Sequence, residues 1–292
     1  MSARKRPEID LSVAREVCSP LSPERFVFQY GMTAIAFFLT FLALLPLFSI
    51  VWEILGRGLS NLKPEMFVNQ VIDFGFANAI VGTLKMVTIG SLFSIPVGVM
   101  TGIFLSEFGK SSKVASIVRF VTTILAGVPS IVVGVFAYGV FIATTKQFSA
   151  IAGGFALGVI MLPVIALTTE EVLKLVPNSL RLASAALGGN RFQTTFRVVL
   201  AAGLPGITTA TLLAIARASG ETAPLIFTAL FSNFWAKGLF EETASLPILI
   251  YRFYQDDRPE IFQLVWTASI VLVGLIIVLN LLSRIITSKK LK

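Results

Sequence analysis

Residues 151–169 read IAGGFALGVIMLPVIALTT, and the charged pair Glu170 and Glu171 follows at once. The stretch contains no charged side chain, and a helix needs about 20 mostly apolar residues to cross a bilayer. The whole chain is 55% hydrophobic and only 14% charged, whereas a soluble domain carries about 25% charged residues. We therefore predict an all-α, polytopic membrane protein.

Five more stretches of the chain are long and apolar enough to span a membrane, so the prediction is six transmembrane helices. The second and third stretches have the length to tilt or to kink, at Pro96 and Pro129 respectively. An even number of spans places both termini on the same side. The six predicted spans are Thr33–Glu53, Asn78–Leu105, Ile117–Ile142, Ile151–Thr169, Pro205–Leu230 and Gln263–Ile286.

Lysine and arginine predict which side of the membrane each loop occupies. With the N-terminus inside, sixteen of them fall in cytoplasmic segments and six in outer ones, while Lys85 and Arg217 lie within spans. Cytoplasmic loops are enriched in these residues, so both termini are expected in the cytoplasm. We expect a cytoplasmic tail at 1–30 without a signal-peptide cleavage site, a transmembrane domain at 31–286 and a second cytoplasmic tail at 287–292.

Composition also restricts the chemistry. The chain has no histidine, and Cys18 is its only cysteine, so neither an intramolecular disulfide nor a thiolate cluster can form. We expect no metal site, no cofactor and no catalytic residue. The net charge is +8, and the basic residues lie beside the apolar segments, so they indicate membrane topology and not nucleic acid binding.

The cytoplasmic loop 170–204 is longer than the other connections between spans. Leu180, Ala183, Ala186 and Leu187 lie on one face of a predicted helix, which Gly188-Gly189-Asn190 ends. A second short helix is expected over Arg191–Leu200. Either the two helices lie on the membrane as an amphipathic pair, or they form a docking element for a partner.

Charged residues inside a membrane usually face a cavity or a partner. Arg217 lies about 18 Å along its predicted span from the cytoplasmic end, and Glu221 follows four residues later on the same helix face. The two could form a structural ion pair. Alternatively, the planar guanidinium could bind a tetrahedral oxyanion while the carboxylate orients it. Lys85 is interpreted as reaching the outer interface with its long side chain.

Two sets of motifs resemble a known family. Ala183-Ser184, Gly188, Val198 and Leu200 match the cytoplasmic loop of ABC-importer permeases, although Leu182 and Ala201 replace the usual Glu and Pro. The flanking sequence resembles the phosphate-specific permease subunit of the PstA type. Its matching stretches are Asn78–Leu84, Leu125–Gly134, Met161–Pro163, Thr168–Glu171, Leu204–Ile207 and Ala214–Leu225.

The resemblance implies a type I ABC-importer permease that carries inorganic phosphate through the bacterial inner membrane and is not itself an enzyme. The implied partners are a second, homologous permease subunit, a cytoplasmic ABC ATPase dimer and an extracytoplasmic phosphate-binding protein. The chain contains no Gly-x-x-x-x-Gly-Lys-Ser/Thr motif, so another polypeptide must handle ATP.

The same resemblance assigns functional residues. It implies a substrate path along Arg217, Gly220, Glu221 and Thr222. It also makes 170–204 a coupling loop that contacts the ATPase through Ala183, Ser184, Gly188, Val198 and Leu200.

Two alternatives remain open. One is a permease for another oxyanion, such as sulfate, molybdate or phosphonate. The other is an anion channel or a secondary transporter, which should show internal repeats with paired broken helices and would not need the polar loop.

Overall fold

The computed structural model describes residues 23–109 and 112–289, and these contain helices and no strand. By contact density the chain divides into two units, 1–53 and 54–292. Short 3₁₀ turns occur at Pro64–Phe67 and Val71–Asp73, and one helical turn at Ala223–Ile226. The helices are α1 Pro23–Asn61, α2 Ala77–Phe108, α3 Lys113–Gly127, α4 Ser130–Thr145, α5 Ala150–Leu175, α6 Asn178–Ala186, α7 Arg191–Ser219, α8 Leu246–Phe253 and α9 Pro259–Lys289.

Among the described residues, five helices are long and apolar enough to cross a membrane: α1, α2, α5, α7 and α9. Helices α3 and α4 form a sixth span if they are counted together, although they meet at an angle of 104°. The bend lies at Val128 and Pro129, where Val128 is extended (φ −69°, ψ 129°). A proline disfavours helical backbone in the residue before it, so the kink predicted at Pro129 is confirmed.

In the first unit, residues 23–52 of α1 are all exposed, and an 18-residue stretch of the helix has a mean hydropathy of 2.5. A helix that is apolar on every side is suited to lipid or to another apolar chain. Residues 23–30, predicted as tail, are helical. The rest of that tail, including Cys18, lies outside the described residues, as do Lys110 and 290–292.

The centre of the second unit is the contact between α2 and α5. A Cβ atom added to Gly90 would lie 2.8 Å from the Gly154 carbonyl oxygen and 3.0 Å from the Gly158 amide nitrogen. Small residues let membrane helices approach to backbone contact in this way. Around this seam the buried core includes Met86, Leu157, Met161, Ile165, Leu225 and Leu264.

Hydrogen bonds join the connections at one end of the second unit. The Ile72 amide donates to the Asn233 carbonyl oxygen at 3.2 Å, and the Ser149 amide donates to the Thr228 carbonyl oxygen at 3.0 Å. The Asn78 side-chain amide donates to the Ser232 carbonyl oxygen at 3.3 Å. The loops near 72, 149 and 228–233 therefore share one end, whereas α6 lies at the other end.

Four predicted spans lie within α1, α2, α5 and α9, but the prediction for α7 was wrong at both ends. Asn190 and Gln193 form a capping box that starts α7 at Arg191. No glycine or proline follows until Gly203, so the expected short helix over Arg191–Leu200 is continuous with the span.

The other end of α7 comes earlier than expected. Helix α7 stops at Ser219, so the predicted span Pro205–Leu230 is too long by eleven residues. Gly220 caps the helix, and Pro224 lacks the amide that a continuing helix would need. The turn Ala223–Ile226 follows, and Leu230 then adopts a left-handed backbone with φ +56°.

Candidate functional site

Arg217 and Glu221 lie close together, but not on one helix face as predicted. Arg217 occupies the last turn of α7, while Glu221 follows the helix end. The Arg217 Nε atom lies 4.0 Å from Glu221 Oε1, and no hydrogen bond joins the two. The Arg217 side chain is 65% exposed and that of Glu221 is 18% exposed. This is a loose ion pair in which the guanidinium is the accessible group.

Arg217 lies at the end of α7 that is opposite to α6. It follows Arg191 by twenty-six residues, or roughly 39 Å at 1.5 Å per residue. The distance of about 18 Å was counted at 1.5 Å per residue from a predicted helix start near Pro205, whereas the helix begins fourteen residues earlier, at Arg191. Within the described residues the Arg217 guanidinium donates no hydrogen bond, so its planar set of N–H groups can donate to an oxyanion.

Gly220 and Thr222 flank Glu221 on the irregular segment after α7. A Cβ atom at Gly220 would meet no atom nearer than 3.7 Å, so no other part of the described chain presses against this glycine. The Thr222 carbonyl oxygen accepts from the amides of Leu225 and Ile226 at 3.1 and 3.3 Å. These bonds start the turn Ala223–Ile226 immediately after Glu221.

Two of the sequence motifs meet at this turn. A Cβ atom added to Gly134 would lie only 2.6 Å from Pro224 Cα, so α4 contacts the turn Ala223–Ile226 without space for a side chain. Gly134 ends the motif 125–134, and Pro224 belongs to the motif 214–225. Helix α4, which follows the break at Pro129, therefore contacts the turn that follows Glu221, a contact that the sequence did not predict.

Lys85 lies about two turns into α2 and is half-buried. It has neither an ion-pair nor a hydrogen-bond partner among the described residues. Its neighbours Val81, Leu84 and Leu92 on the same side of α2 are exposed. That Lys85 reaches the outer interface stays a prediction.

The residues predicted for the coupling loop lie around α6 and the start of α7. Gly188 has a φ of +80°, and the turn it forms separates the two helices. Leu200 lies apart from the others, half-buried against the cluster of Ile103, Leu173 and Val199. Ala183, Ser184, Gly188 and Val198 line one groove of about 390 Å³ together with Leu180, Leu187, Gly189, Gln193 and Arg197.

A buried ion pair holds α6 against the end of α2. The Arg181 Nη2 atom donates to Glu107 Oε1 at 2.6 Å, and Arg181 Nε donates to Glu107 Oε2 at 3.3 Å. Their side chains are only 15% and 7% exposed. Arg181 also donates to the carbonyl oxygens of Val176 and Leu173 at 2.7 and 2.9 Å. Arg191 donates to the Glu107 carbonyl oxygen from the first turn of α7.

A second buried carboxylate ties α5 to α3. Glu170 is 3% exposed and lies 2.6 Å from both Arg119 Nη2 and Lys174 Nζ. The sequence analysis placed Glu170 in a polar loop, but it lies inside α5. Neither Glu107 nor Glu170 was identified as a site from the sequence. The signal at Glu107 was a lone acidic residue at the end of an apolar stretch, and that at Glu170 was its place in the motif Thr168–Glu171.

Comparisons with known proteins agree with this architecture. A family model described as "Binding-protein-dependent transport system inner membrane component" matches residues 94–292. Among solved structures, one of the inward-facing MetNI methionine ABC transporter superposes with a TM-score of 0.65 at 19% identity, covering 78% of this chain and 99% of that one. At this identity the likeness supports the fold alone.

Curated relatives match over most of their length. The phosphate transport system permease protein PstA of Pasteurella multocida is 35% identical over 265 residues, which are 89% of this chain and 95% of the relative. PstA of Yersinia pestis is 37% identical over 85% of this chain and 86% of the relative. PstA 1 of Mycobacterium tuberculosis is 34% identical over 95% of this chain and 94% of the relative.

These matches confirm the family resemblance that the motifs indicated, and they agree with a multi-pass helical membrane protein. The chain belongs to the family of binding-protein-dependent transport system inner membrane components.

Proposed function

We propose that this chain is the permease subunit of an ATP-driven importer that carries inorganic phosphate into the cytoplasm. The names of its relatives support phosphate as the cargo. The chain itself has no nucleotide-binding motif, so a dimer of ABC ATPase subunits hydrolyses ATP. A second, homologous permease subunit completes the pore, and an extracytoplasmic phosphate-binding protein delivers the anion.

The accessible guanidinium of Arg217 is the observation that carries this proposal. Phosphate is an anion, and a tetrahedral oxyanion matches the fixed fork of guanidinium donors. A pore must attract its cargo without trapping it. Glu221 lies near enough, at 4.0 Å, to moderate the positive charge, yet it does not occupy the donors through a hydrogen bond. Gly220 and Thr222 form the same stretch of the path.

The surface of α6 supports an ATPase partner. Leu182 within α6 is 64% exposed and Leu187, directly after the helix, is 89% exposed, although both lie at a polar end of the protein. Apolar side chains exposed together commonly mark an interaction site. We therefore assign the groove beside Ala183, Ser184 and Gly188 to a contact with the ATPase subunit.

The test reconstitutes the complete complex in liposomes and measures uptake of radiolabelled phosphate. ATP is supplied on the side of the membrane where the ATPase subunits lie. We expect Arg217→Gln to reduce uptake about 10- to 100-fold, since a hydrogen bond to a charged group contributes about 1.5–3 kcal/mol. The variant should still assemble, because Arg217 is exposed and makes no hydrogen bond in the described structure.

Arg258→Gln is the matched control. Arg258 is also an exposed arginine paired with a carboxylate, but it lies in the loop before α9, where its side-chain hydrogen bond lowers the pKa of Asp256 to about 2. Uptake by this variant should match the wild type. Wild-type uptake by assembled Arg217→Gln would make the Arg217–Glu221 pair structural. Stronger inhibition of uptake by unlabelled sulfate, molybdate or a phosphonate than by phosphate would favour the other-oxyanion permease.

A further inference from the structure

We propose that Glu107 is a positioning residue that makes α6 move together with α2 and α7, so that motion of the docking helix reaches the membrane-spanning helices. The inference rests on the proposed role of α6 as the ATPase contact. It assigns a function to a buried carboxylate that lies outside both the substrate path and the docking groove.

The contacts of Glu107 join three helices at one point. Its carboxylate accepts two hydrogen bonds from Arg181 of α6, and its carbonyl oxygen accepts one from Arg191 of α7. The Arg191 guanidinium also lies 5.1 Å from the centre of the Phe108 ring. Because Glu107 belongs to α2, any displacement of α6 or of the start of α7 pulls on the end of α2.

Arg181 extends the same connection to α5. It donates to the carbonyl oxygens of Leu173 and Val176, which lie at the C-terminal end of α5. Leu173 belongs to the last turn of α5 and its carbonyl oxygen also accepts from the Val176 amide at 3.3 Å, while Val176 is the residue that ends the helix. Arg181 therefore caps the end of α5 while it binds Glu107. The connection at Val176 and Pro177, between α5 and α6, is therefore held in place by the Arg181 side chain, which Glu107 of α2 binds.

The membrane helices meet α6 at π turns. Glu107 lies in the π turn Phe104–Phe108 of α2. Thr194, whose hydroxyl lies 2.8 Å from that of Ser184 on α6, lies in the π turn Thr194–Val199 of α7. A π turn is a rare, locally widened part of a helix that often occurs at functional positions. Both contacts thus reach α2 and α7 at such widened segments.

The burial of this ion pair makes the connection stiff. Removing one partner from a buried pair leaves an uncompensated charge out of contact with water. Helix α6 therefore cannot swing away from α2 without a large free-energy cost, and a rigid joint transmits motion where a loose one would absorb it. An exposed pair such as that of Arg258 and Asp256 could not do so, since water replaces each partner readily.

The test measures phosphate transported per ATP hydrolysed in liposomes that contain the whole complex. Glu107→Gln retains the size and hydrogen-bonding oxygen of the side chain but removes its charge, and we expect the ratio to fall severalfold while ATP hydrolysis continues. Glu107→Asp keeps the charge and should recover part of the ratio. A merely structural role would lower the amount of complex and leave the ratio unchanged.

Glu170→Gln is the matched control, because Glu170 is also a buried carboxylate, paired at 2.6 Å with Arg119 and with Lys174, and has no hydrogen bond or ion pair with α6 among the described residues. Its complex should be less stable, with a wild-type ratio of transport to hydrolysis. An unchanged ratio in assembled Glu107→Gln, or an equal loss in Glu170→Gln, would overturn the proposal.

A second measurement separates this inference from the proposed function. After replacement of Cys18, spin labels at Ser179 on α6 and Met100 on α2, both exposed and both outside the docking groove, report the distance between the two helices. The distance distribution should be narrow in the wild type and in Glu170→Gln and broad in Glu107→Gln. If the wild-type complex moves no phosphate, the proposed function fails, while an unbroadened distribution in Glu107→Gln still rejects the role of Glu107.

Discussion

Gly188 controls the direction of the chain between α6 and α7. Its φ of +80° lies in the left-handed region, which costs other residues roughly 1–2 kcal/mol. The amides of Gly188 and Gly189 donate to the carbonyl oxygens of Ala185 and Ser184 at 3.0 and 2.9 Å, and so satisfy the end of α6. One glycine thus sets where the docking helix ends and how α7 begins.

Gly188→Leu should weaken or uncouple the contact with the ATPase. Space is not the problem, since an added Cβ atom would meet nothing within 4 Å; the backbone strain would instead shift α6 relative to α7. Co-purification of the ATPase and ATP-dependent uptake measure the effect. Gly238→Leu is the control, because its Cβ would meet no atom nearer than 3.9 Å and its φ is ordinary. Normal assembly and uptake in Gly188→Leu would remove this turn from the mechanism.

Individual residues differed in how well the sequence predicted them. Gly188 was found because a glycine after an amphipathic segment is a local signal of a helix end. Arg217 was found because a charge within an apolar stretch is rare. Glu107 was missed because its partner Arg181 is 74 positions away, and nothing local to an acidic residue at the end of a span identifies such a partner.

At the scale of elements, glycine positions determine how closely the helices pack. Helices α2 and α5 touch through Gly90, Gly154 and Gly158, and farther along a Cβ atom at Gly102 would lie 2.5 Å from Thr169 Cβ. Lipid chains are as apolar as the helices, so this close packing stabilises the contact where a hydrophobic driving force is absent. The contact of Glu107 with Arg181 and Arg191 lies at the end of this seam.

Gly90→Leu should separate α2 from α5 and destabilise the protein by about 1–3 kcal/mol, the usual cost of overpacking a tight core. Its Cβ would press on the Gly154 carbonyl oxygen, which is backbone and cannot turn aside. The melting temperature of the purified protein in detergent measures the effect. Gly274→Leu on α9, where an added Cβ meets nothing within 4 Å, should melt like the wild type. Equal melting of both variants would show that the seam tolerates side chains.

The elements could be predicted from the sequence more readily than their ends. Apolar length predicted six spans, because a bilayer imposes a minimum length on every helix that crosses it; the described residues contain five helices of that kind and the bent pair α3 and α4. The two ends of α7 were wrong for different reasons. Its start depends on a capping box that lies within a polar loop, and its end depends on Gly220 and Pro224 inside an apolar run that hydropathy alone cannot divide.

For the molecule as a whole, the second unit has two chemically distinct ends. At one end the loops around Asn78, Ser149 and Asn233 are linked by hydrogen bonds from backbone amides and from the Asn78 side chain. At the other end, the carboxylates of Glu107 and Glu170 are paired with Arg181 and Arg119. The excess of arginine and lysine at the α6 end indicates the cytoplasmic side. Arg217, at the far end of α7, would then meet phosphate early in its passage from the outside.

Single cysteines test this orientation once Cys18 has been replaced. Cysteines at Lys63, Lys146 and Glu242 belong to the loops at the end opposite α6, so an impermeant maleimide should label them in intact spheroplasts. Lys174→Cys, at the end of α5 next to α6, should react only after the membrane is permeabilised. Its labelling under that condition shows that the cysteine can react with the maleimide. Labelling of Lys174→Cys in intact cells would invert the topology. Helix α6 would then face away from any cytoplasmic ATPase, and both the docking contact and the transmission through Glu107 would lose their physical basis.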